Sequence, residues 1–245
     1  MRNVWTIAKR EFRSLFIVQI ATITLFVFLL TIGFFFYIEI YSAVQTQQYI
    51  PSMQTSFQLI VFPLLFFAVP AITMRSIAEE KRTGTLEFLL TAPVRDWELI
   101  IGKWLGGFLL FLVALAVTLV YPIILNFLVK PGIDMGAMLA GYLGLMLLAS
   151  AMIAIGVAIS SLFNNLPASF FATLGVIIIF WIIASPAQSM QGVGADILRN
   201  LSLTTHLYDT FLAGIIDLKD IVYYISFTIF ALFIGKTAIE IRRWG

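Results

Sequence analysis

Few residues in this chain have side chains that do chemistry, and their spacing excludes most of it. There is one histidine, His206, and no cysteine, so disulfides, thiolate metal sites and a cysteine nucleophile are ruled out. Neither a His-Glu-x-x-His nor a Gly-x-Ser-x-Gly spacing occurs. His206 stands outside the apolar runs and reads as a surface or interfacial residue before it reads as a ligand. The eight methionines show no paired spacing, which leaves a copper path unsupported. Gly235-Lys236-Thr237 imitates the end of a phosphate-binding loop, but Phe230 stands where that loop needs glycine. By this reading the chain binds no ATP, metal or other cofactor and has no catalytic residue of its own.

Polar chemistry gathers in residues 75–103, which hold ten of the 28 charges. The stretch reads as two short helices with punctuation. Glu79, Glu80 and Lys81 carry a helix out into water, and Gly84 breaks it, since glycine takes a left-handed helix end without steric cost. Thr85 is placed to cap the next turn, where Leu86, Leu89 and Leu90 make one apolar face beside Glu87. Pro93 ends that turn, and Asp96 is placed to cap a helix running through Trp97 and Leu99. A short helix offering leucines and carboxylates suits a groove on a soluble partner; it equally suits a connector at the membrane surface.

The elements that must position this stretch are dictated by composition. The 245 residues are 61% hydrophobic and 11% charged, with a mean hydropathy of +1.01. Soluble domains run at about 45–50% apolar and about 25% charged, so the chain is expected in lipid, as one membrane domain. A bilayer core needs roughly 20 apolar helical residues, and six runs qualify or nearly do: 15–38, 57–74, 104–129, 137–163, 168–187 and 219–239. Strand-type alternation is absent, so the expected fold class is an all-α integral membrane protein with six transmembrane helices. Of fifteen Lys and Arg, twelve fall in the N-terminus, the 75–103 segment and the C-terminus, and three in the other loops. The positive-inside rule then puts both termini in the cytoplasm, in agreement with an even number of spans. A net charge of +2 is too small for a nucleic-acid binder.

The cores of those runs hold no ionisable residue, which argues against an ion channel, a proton-coupled carrier or an intramembrane enzyme. An uncharged pathway suits lipid, lipid-linked or amphipathic cargo better than bare ions. Before the first run, Val4, Ile7, Ala8, Phe12 and Leu15 recur at helical spacing, so residues 1–14 are expected as an amphipathic helix on the cytoplasmic leaflet. Residues 188–218 form a long segment on the outer side. There Leu203, Leu207, Phe211 and Ile215 recur every four residues, as in one short amphipathic helix, re-entrant or interfacial. Candidate kink points are Pro63 and Pro70 in the second run, Pro122 in the third and Gly175 in the fifth; ordinary membrane-helix punctuation explains them equally. Gly102 and Gly106 at four-residue spacing permit close helix packing. The second cytoplasmic loop, around Asn164 and Asn165, is either a partner contact or a tight turn with Pro167 opening the fifth span.

Residues 69–107 resemble the signature region of ABC type-2 permeases, nearest to the small kind associated with gliding motility and nitrous-oxide-reductase maturation. The resemblance rests on Glu80-Lys81, the Gly84-Thr85-Leu86-Glu87 turn, the Pro93 stop and Gly102-Lys103. It implies an exporter fold in which Glu79 to Glu87 form a coupling helix seated in a cleft of a separate ATP-binding cassette, with Asn164 and Asn165 as a second contact. It also implies that ATP and Mg are bound by that partner ATPase, and that short outer helices, here carrying Leu203, Leu207, Phe211 and Ile215, line or close an exit. Half a permease at most, the chain is expected to pair with a second copy or a similar permease in the inner membrane. An auxiliary periplasmic or membrane protein is a further partner left open. The competing reading is a non-transporting membrane anchor for a soluble or periplasmic partner.

Overall fold

The computed structural model describes residues 2–46, 57–58, 60–61, 67–87, 94–129, 132–183, 185–186 and 192–244. Among these residues every regular element is helical. Four helices are long and apolar enough to cross a membrane: Ile20–Gln45, Asp96–Leu128, Met135–Leu162 and Leu218–Arg242. The fifth expected run is a shorter apolar helix of 17 residues, Leu166–Ile182. Residues 59 and 62–66 of the second expected run, Pro63 included, lie outside the described residues.

Helix α1 (Arg2–Ile17) and helix α2 (Ile20–Thr46) are separate, because Gln19 turns the chain with a positive φ of 64°. Residues 15–17, expected in the first span, therefore finish the amphipathic helix. The apolar stripe of α1 packs against the protein itself. Ala8 and Leu15 are buried, and the stripe lies across α5 (Asp96–Thr118) at its two glycines. A Cβ on Gly102 would stand 2.7 Å from Ile7, and one on Gly106 2.7 Å from the Glu11 Cβ. Only hydrogen at these positions lets the backbones approach so closely. The residues α1 leaves on the surface include Trp5, Lys9, Arg10, Arg13 and Ile17.

The short helices α3 (Val69–Thr73) and α4 (Ala78–Arg82) precede α5. Helix α5 is followed after one turn residue, Leu119, by α6 (Val120–Leu128). The break falls where Pro122 dictates, since a proline ring collides with the carbonyl four residues earlier, here that of Thr118. Thr118 is buried and its hydroxyl donates to the Leu115 carbonyl at 2.7 Å. Pro70 likewise sits in the first turn of α3, just after a π-type turn at Phe67 and Ala68. Gly175 differs from expectation: α8 (Leu166–Ile182) runs through it without a break.

Helix α7 (Met135–Leu162) is the axis of the molecule. Asp134 caps it, its Oδ1 accepting from Gly136 N at 2.8 Å and Ala137 N at 3.1 Å. It packs along α11 (Leu218–Trp244) and against α3, α5 and α8. Small residues (Gly141, Gly144, Ala149, Gly156) let neighbours close on it from several sides. Polar cross-ties run through the apolar packing: Trp104 Nε1 donates to the Ser150 carbonyl at 3.0 Å, and the Ser150 and Thr228 hydroxyls meet at 3.2 Å. Between α8 and α11, the outer segment folds as α9 (Val193–Leu201), α10 (Thr205–Asp209) and a 3-10 turn (Phe211–Ala213).

Candidate functional site

The elbow of the 75–103 segment is anchored by two buried groups distant from it in sequence. Ser160, in the last turns of α7, accepts from the backbone N–H of Ile77 and of Ala78, both at 3.0 Å. Its own hydroxyl faces the Met74 carbonyl at 3.3 Å. One fully buried serine thus satisfies three backbone groups at the elbow between α3 and α4, where no helical partner exists for them. The second anchor is Lys103, near the start of α5, with 2% of its side chain exposed. Its Nζ bridges Glu80 Oε1 at 2.9 Å and Glu11 Oε2 at 3.1 Å, tying α5 to α4 and to α1. Arg10 approaches Glu80 from the solvent side at 3.8 Å. Burial pushes the Glu80 carboxyl above its ordinary value, and the Lys103 charge opposes that only in part. A cavity of about 240 Å³ opens here between α1 and the elbow, lined among others by Arg10, Glu11, Ser76 and Glu80.

Around these anchors the segment folds as its punctuation requires. Helix α4 ends at Thr83, and Gly84 takes the left-handed conformation at φ 72°, with Gly84 N donating to Lys81 O at 3.3 Å. Thr85 turns back: its hydroxyl meets that of Thr83 at 2.9 Å and the Glu80 carbonyl at 3.4 Å. Leu86 differs from the expectation of an offered apolar face, because it is 2% exposed and belongs to the protein's own core. Leu89, Leu90 and Pro93 lie outside the described residues. The start of α5 also differs: Arg95 is the residue before the helix, its N–H donating to Glu98 Oε2 at 3.1 Å, so Glu98 fills the capping role assigned to Asp96.

The predicted coupling residues therefore divide. Glu79 pairs with Arg75, Glu80 with Lys103, and Lys81 donates to the Ser161 carbonyl. Burial, and then the Arg242 charge, hold the Lys81 ammonium below its ordinary value. Gly84, Thr85 and Glu87 stay on the surface, joined by Arg82 and Thr83. The Asn164–Asn165 turn is brought to the same end of the molecule. Asn165 caps α8 by accepting from Ala168 N at 2.7 Å, and Asn164 accepts from Arg242 Nη1 at 3.1 Å. Ser160, Lys103 and Glu11 were missed as site residues. Glu80 and Lys103 are 23 positions apart, and nothing in the local pattern pairs them.

The outer segment occupies the opposite half of α7. Leu203, Leu207 and Phe211 are fully buried. Leu207 and Phe211 close on Gly144, where a Cβ would meet each at 2.6 Å. At 1.5 Å per residue, Gly144 and Ser160 are about 24 Å apart along the helix. The four-residue periodicity does not form one helix: the chain breaks between α9 and α10, and again at Gly214 with φ 80°. Ile215 follows that second break and is 57% exposed, so it does not join the other three. His206, read as a surface residue, is instead part-buried at 14% side-chain exposure and bonded to Asp220.

The chain matches the family model described as ABC-2 family transporter protein over residues 5–239. Among curated proteins, none matches it.

Proposed function

Because this chain belongs to the ABC-2 family of transporter proteins, we propose that it is driven as an exporter by separate cassette ATPases docking on the surface turn of residues 82–87. Family membership makes the chain a multi-pass membrane protein and the permease component of an ABC transporter. In the proposed cycle ATP and Mg bind to the cassette subunits, and this chain pairs with a second copy or a similar permease. Both termini lie in the cytoplasm, with the chain in the inner membrane. The apolar side of α2, with Phe26, Leu30, Phe34, Tyr37 and Tyr41 more than half exposed, supplies surface for lipid or for that second permease.

The carrying observation is the double anchorage of the elbow. A turn that is to transmit force must be fixed to what it moves, and this one is fixed to α7 by Ser160 and to α5 and α1 by Lys103. Displacement of the turn would therefore reach α7, whose other half holds Leu207 and Phe211 about 24 Å away. Such packed elements switch between discrete arrangements for a few kcal/mol. The test is paired. Gly84→Val and Glu87→Lys are expected to weaken cassette co-purification and cassette ATPase stimulation while membrane insertion is unchanged. Undiminished stimulation in both would overturn the docking role.

A further inference from the structure

The single histidine of the chain is not used by the coupling route. His206, on α10, lies between two groups that both accept. Its Nδ1 is 2.8 Å from Oδ1 of Asp220 on α11, and its Nε2 is 3.1 Å from the Asn200 carbonyl oxygen on α9. A neutral imidazole has only one N–H, and neither a carbonyl nor a carboxylate donates. Both contacts are hydrogen bonds only when the pair holds one proton more than a neutral ring beside a carboxylate. Either the ring is an imidazolium facing the carboxylate, or the Asp220 carboxyl donates to Nδ1 while Nε2–H donates to Asn200. Asp220 is fully buried, and its Oδ2 has no partner among the described residues. An unneutralised carboxylate in that place is costly. The Tyr223 ring stacks on the imidazole with centroids 4.1 Å apart, which also favours a cationic ring.

We propose that His206 and Asp220 form a proton-binding site whose occupancy clamps α9 to α10 and α11. With the proton bound, one imidazole joins three helices. With the proton gone, the Nε2 contact becomes two lone pairs facing each other, and α9 loses its tie to His206 while the Tyr223–Leu201 bond still holds its end. The rest of the segment does not depend on that proton. The Tyr224 hydroxyl donates to the Leu203 carbonyl at 2.5 Å and the Tyr223 hydroxyl to that of Leu201 at 3.0 Å, while Leu207 and Phe211 remain packed on α7.

Since Lys236, Glu240, Arg242 and Arg243 lie at the far end of α11, the charged and titratable groups at this end of the elements meeting here are few. They are Asp196 and Arg199 on α9, Tyr208 and Asp209 on α10, Asp217 just before α11, Lys219, Tyr223 and Tyr224 on α11, and Asp134 and Tyr142 on α7. Asp217 and Lys219 pair with each other at 3.1 Å near the surface. Burial holds the Tyr208 phenol above its ordinary value, so it keeps its proton. The hydroxyls of Tyr223 and Tyr224 are committed as donors to carbonyls.

Because His206 is the one histidine, ring-nitrogen NMR of the full chain, labelled with 15N-histidine and held in lipid nanodiscs, reads this site alone. The ring signals are expected to show the extra proton at the acid end of a pH series and one proton fewer at its alkaline end. Across that series, amide exchange of residues 193–201, corrected for its intrinsic pH dependence, is expected to quicken about tenfold, the size of losing one hydrogen bond to a charged group. In Asp220→Asn, whose amide can donate to Nδ1 at any pH while Nε2–H donates to the Asn200 carbonyl, the exchange should stay slow at both ends of the range. Ring signals unchanged across the range, or corrected exchange equal at both ends in the wild-type chain, would overturn the proposal. The wild-type titration decides the matter whether or not the variant folds.

Discussion

Replacing Lys103 by methionine keeps the apolar stem and deletes one ammonium, which isolates the worth of the anchor between α1, α4 and α5. Its Nζ lies 2.9 Å from Glu80 and 3.1 Å from Glu11, with the lysine side chain 2% exposed and the carboxylates' side chains 14% and 18% exposed. Without the ammonium two carboxylates remain largely buried. Breaking a buried ion pair from one side costs about 3–5 kcal/mol, chiefly through the charge left behind. Arg10 offsets little of this: it stands 3.8 Å from Glu80 and is 69% exposed, a geometry worth about 0–1 kcal/mol. A net loss of about 3 kcal/mol is expected for Lys103→Met. Neutralising both partners as well, in Lys103→Met/Glu11→Gln/Glu80→Gln, should return stability to within about 1–2 kcal/mol of the parent, since removing all the charges removes the penalty. Denaturant titrations in detergent micelles, followed by helical circular dichroism, measure both variants. A single variant as stable as the parent, or a triple variant no more stable than the single, would refute the reasoning.

Three further outcomes follow from the same geometry. Burial, against the Lys103 charge, holds the Glu80 carboxyl above 4.5 in the folded protein, so the folded state binds that proton more tightly than the unfolded chain does. Its contribution is therefore fully present below about pH 4.5 and lost as pH rises through the folded value; Glu80→Gln should flatten that decline in unfolding midpoints measured across the range. Ser160→Ala leaves the buried Ile77 and Ala78 N–H groups without their acceptor, a loss of about 1–3 kcal/mol. It should also raise proteolytic cleavage near residue 77 in limited digests. Gly175→Ala adds a methyl into open space inside an unbroken helix; it should stabilise by about 0.5–1 kcal/mol and leave transport-coupled ATPase activity unchanged, whereas lost coupling would restore Gly175 as a hinge.

Local chemistry was legible in the sequence wherever one residue decides its own neighbourhood. Gly84 takes its left-handed turn, Pro122 sets a helix break one turn upstream, and Gly102 and Gly106 receive a close helix, because each effect is steric and contained within a few residues. Direction was harder to read. The stripe of α1 and the side chain of Leu86 have the periodicity of surfaces awaiting a partner, yet both are covered by this chain itself. Periodicity identifies an apolar face without saying what lies on it. The charge census misled in a different way: Lys103 counted as a topology signal at the head of a span, and Asp220 fell one residue outside an apolar core. Each is buried and paired with a residue from another element, at separations of 92 and 14 positions, where no sequence pattern joins them. The repeat of Leu203, Leu207, Phe211 and Ile215 matched a helix in spacing alone, because Gly214 and the α9–α10 turn break it.

The docking of a cassette on residues 82–87 is tested most directly by chemical crosslinking, since the chain has no cysteine to interfere. A cysteine at Glu87, which is exposed, would carry a short photoreactive crosslinker in membranes containing the intact complex. The control is a cysteine at Val193, 75% exposed in the outer segment. A covalent product with the cassette ATPase from position 87 and none from position 193 is the expected result. A stable complex in which position 87 never reaches the cassette would contradict it.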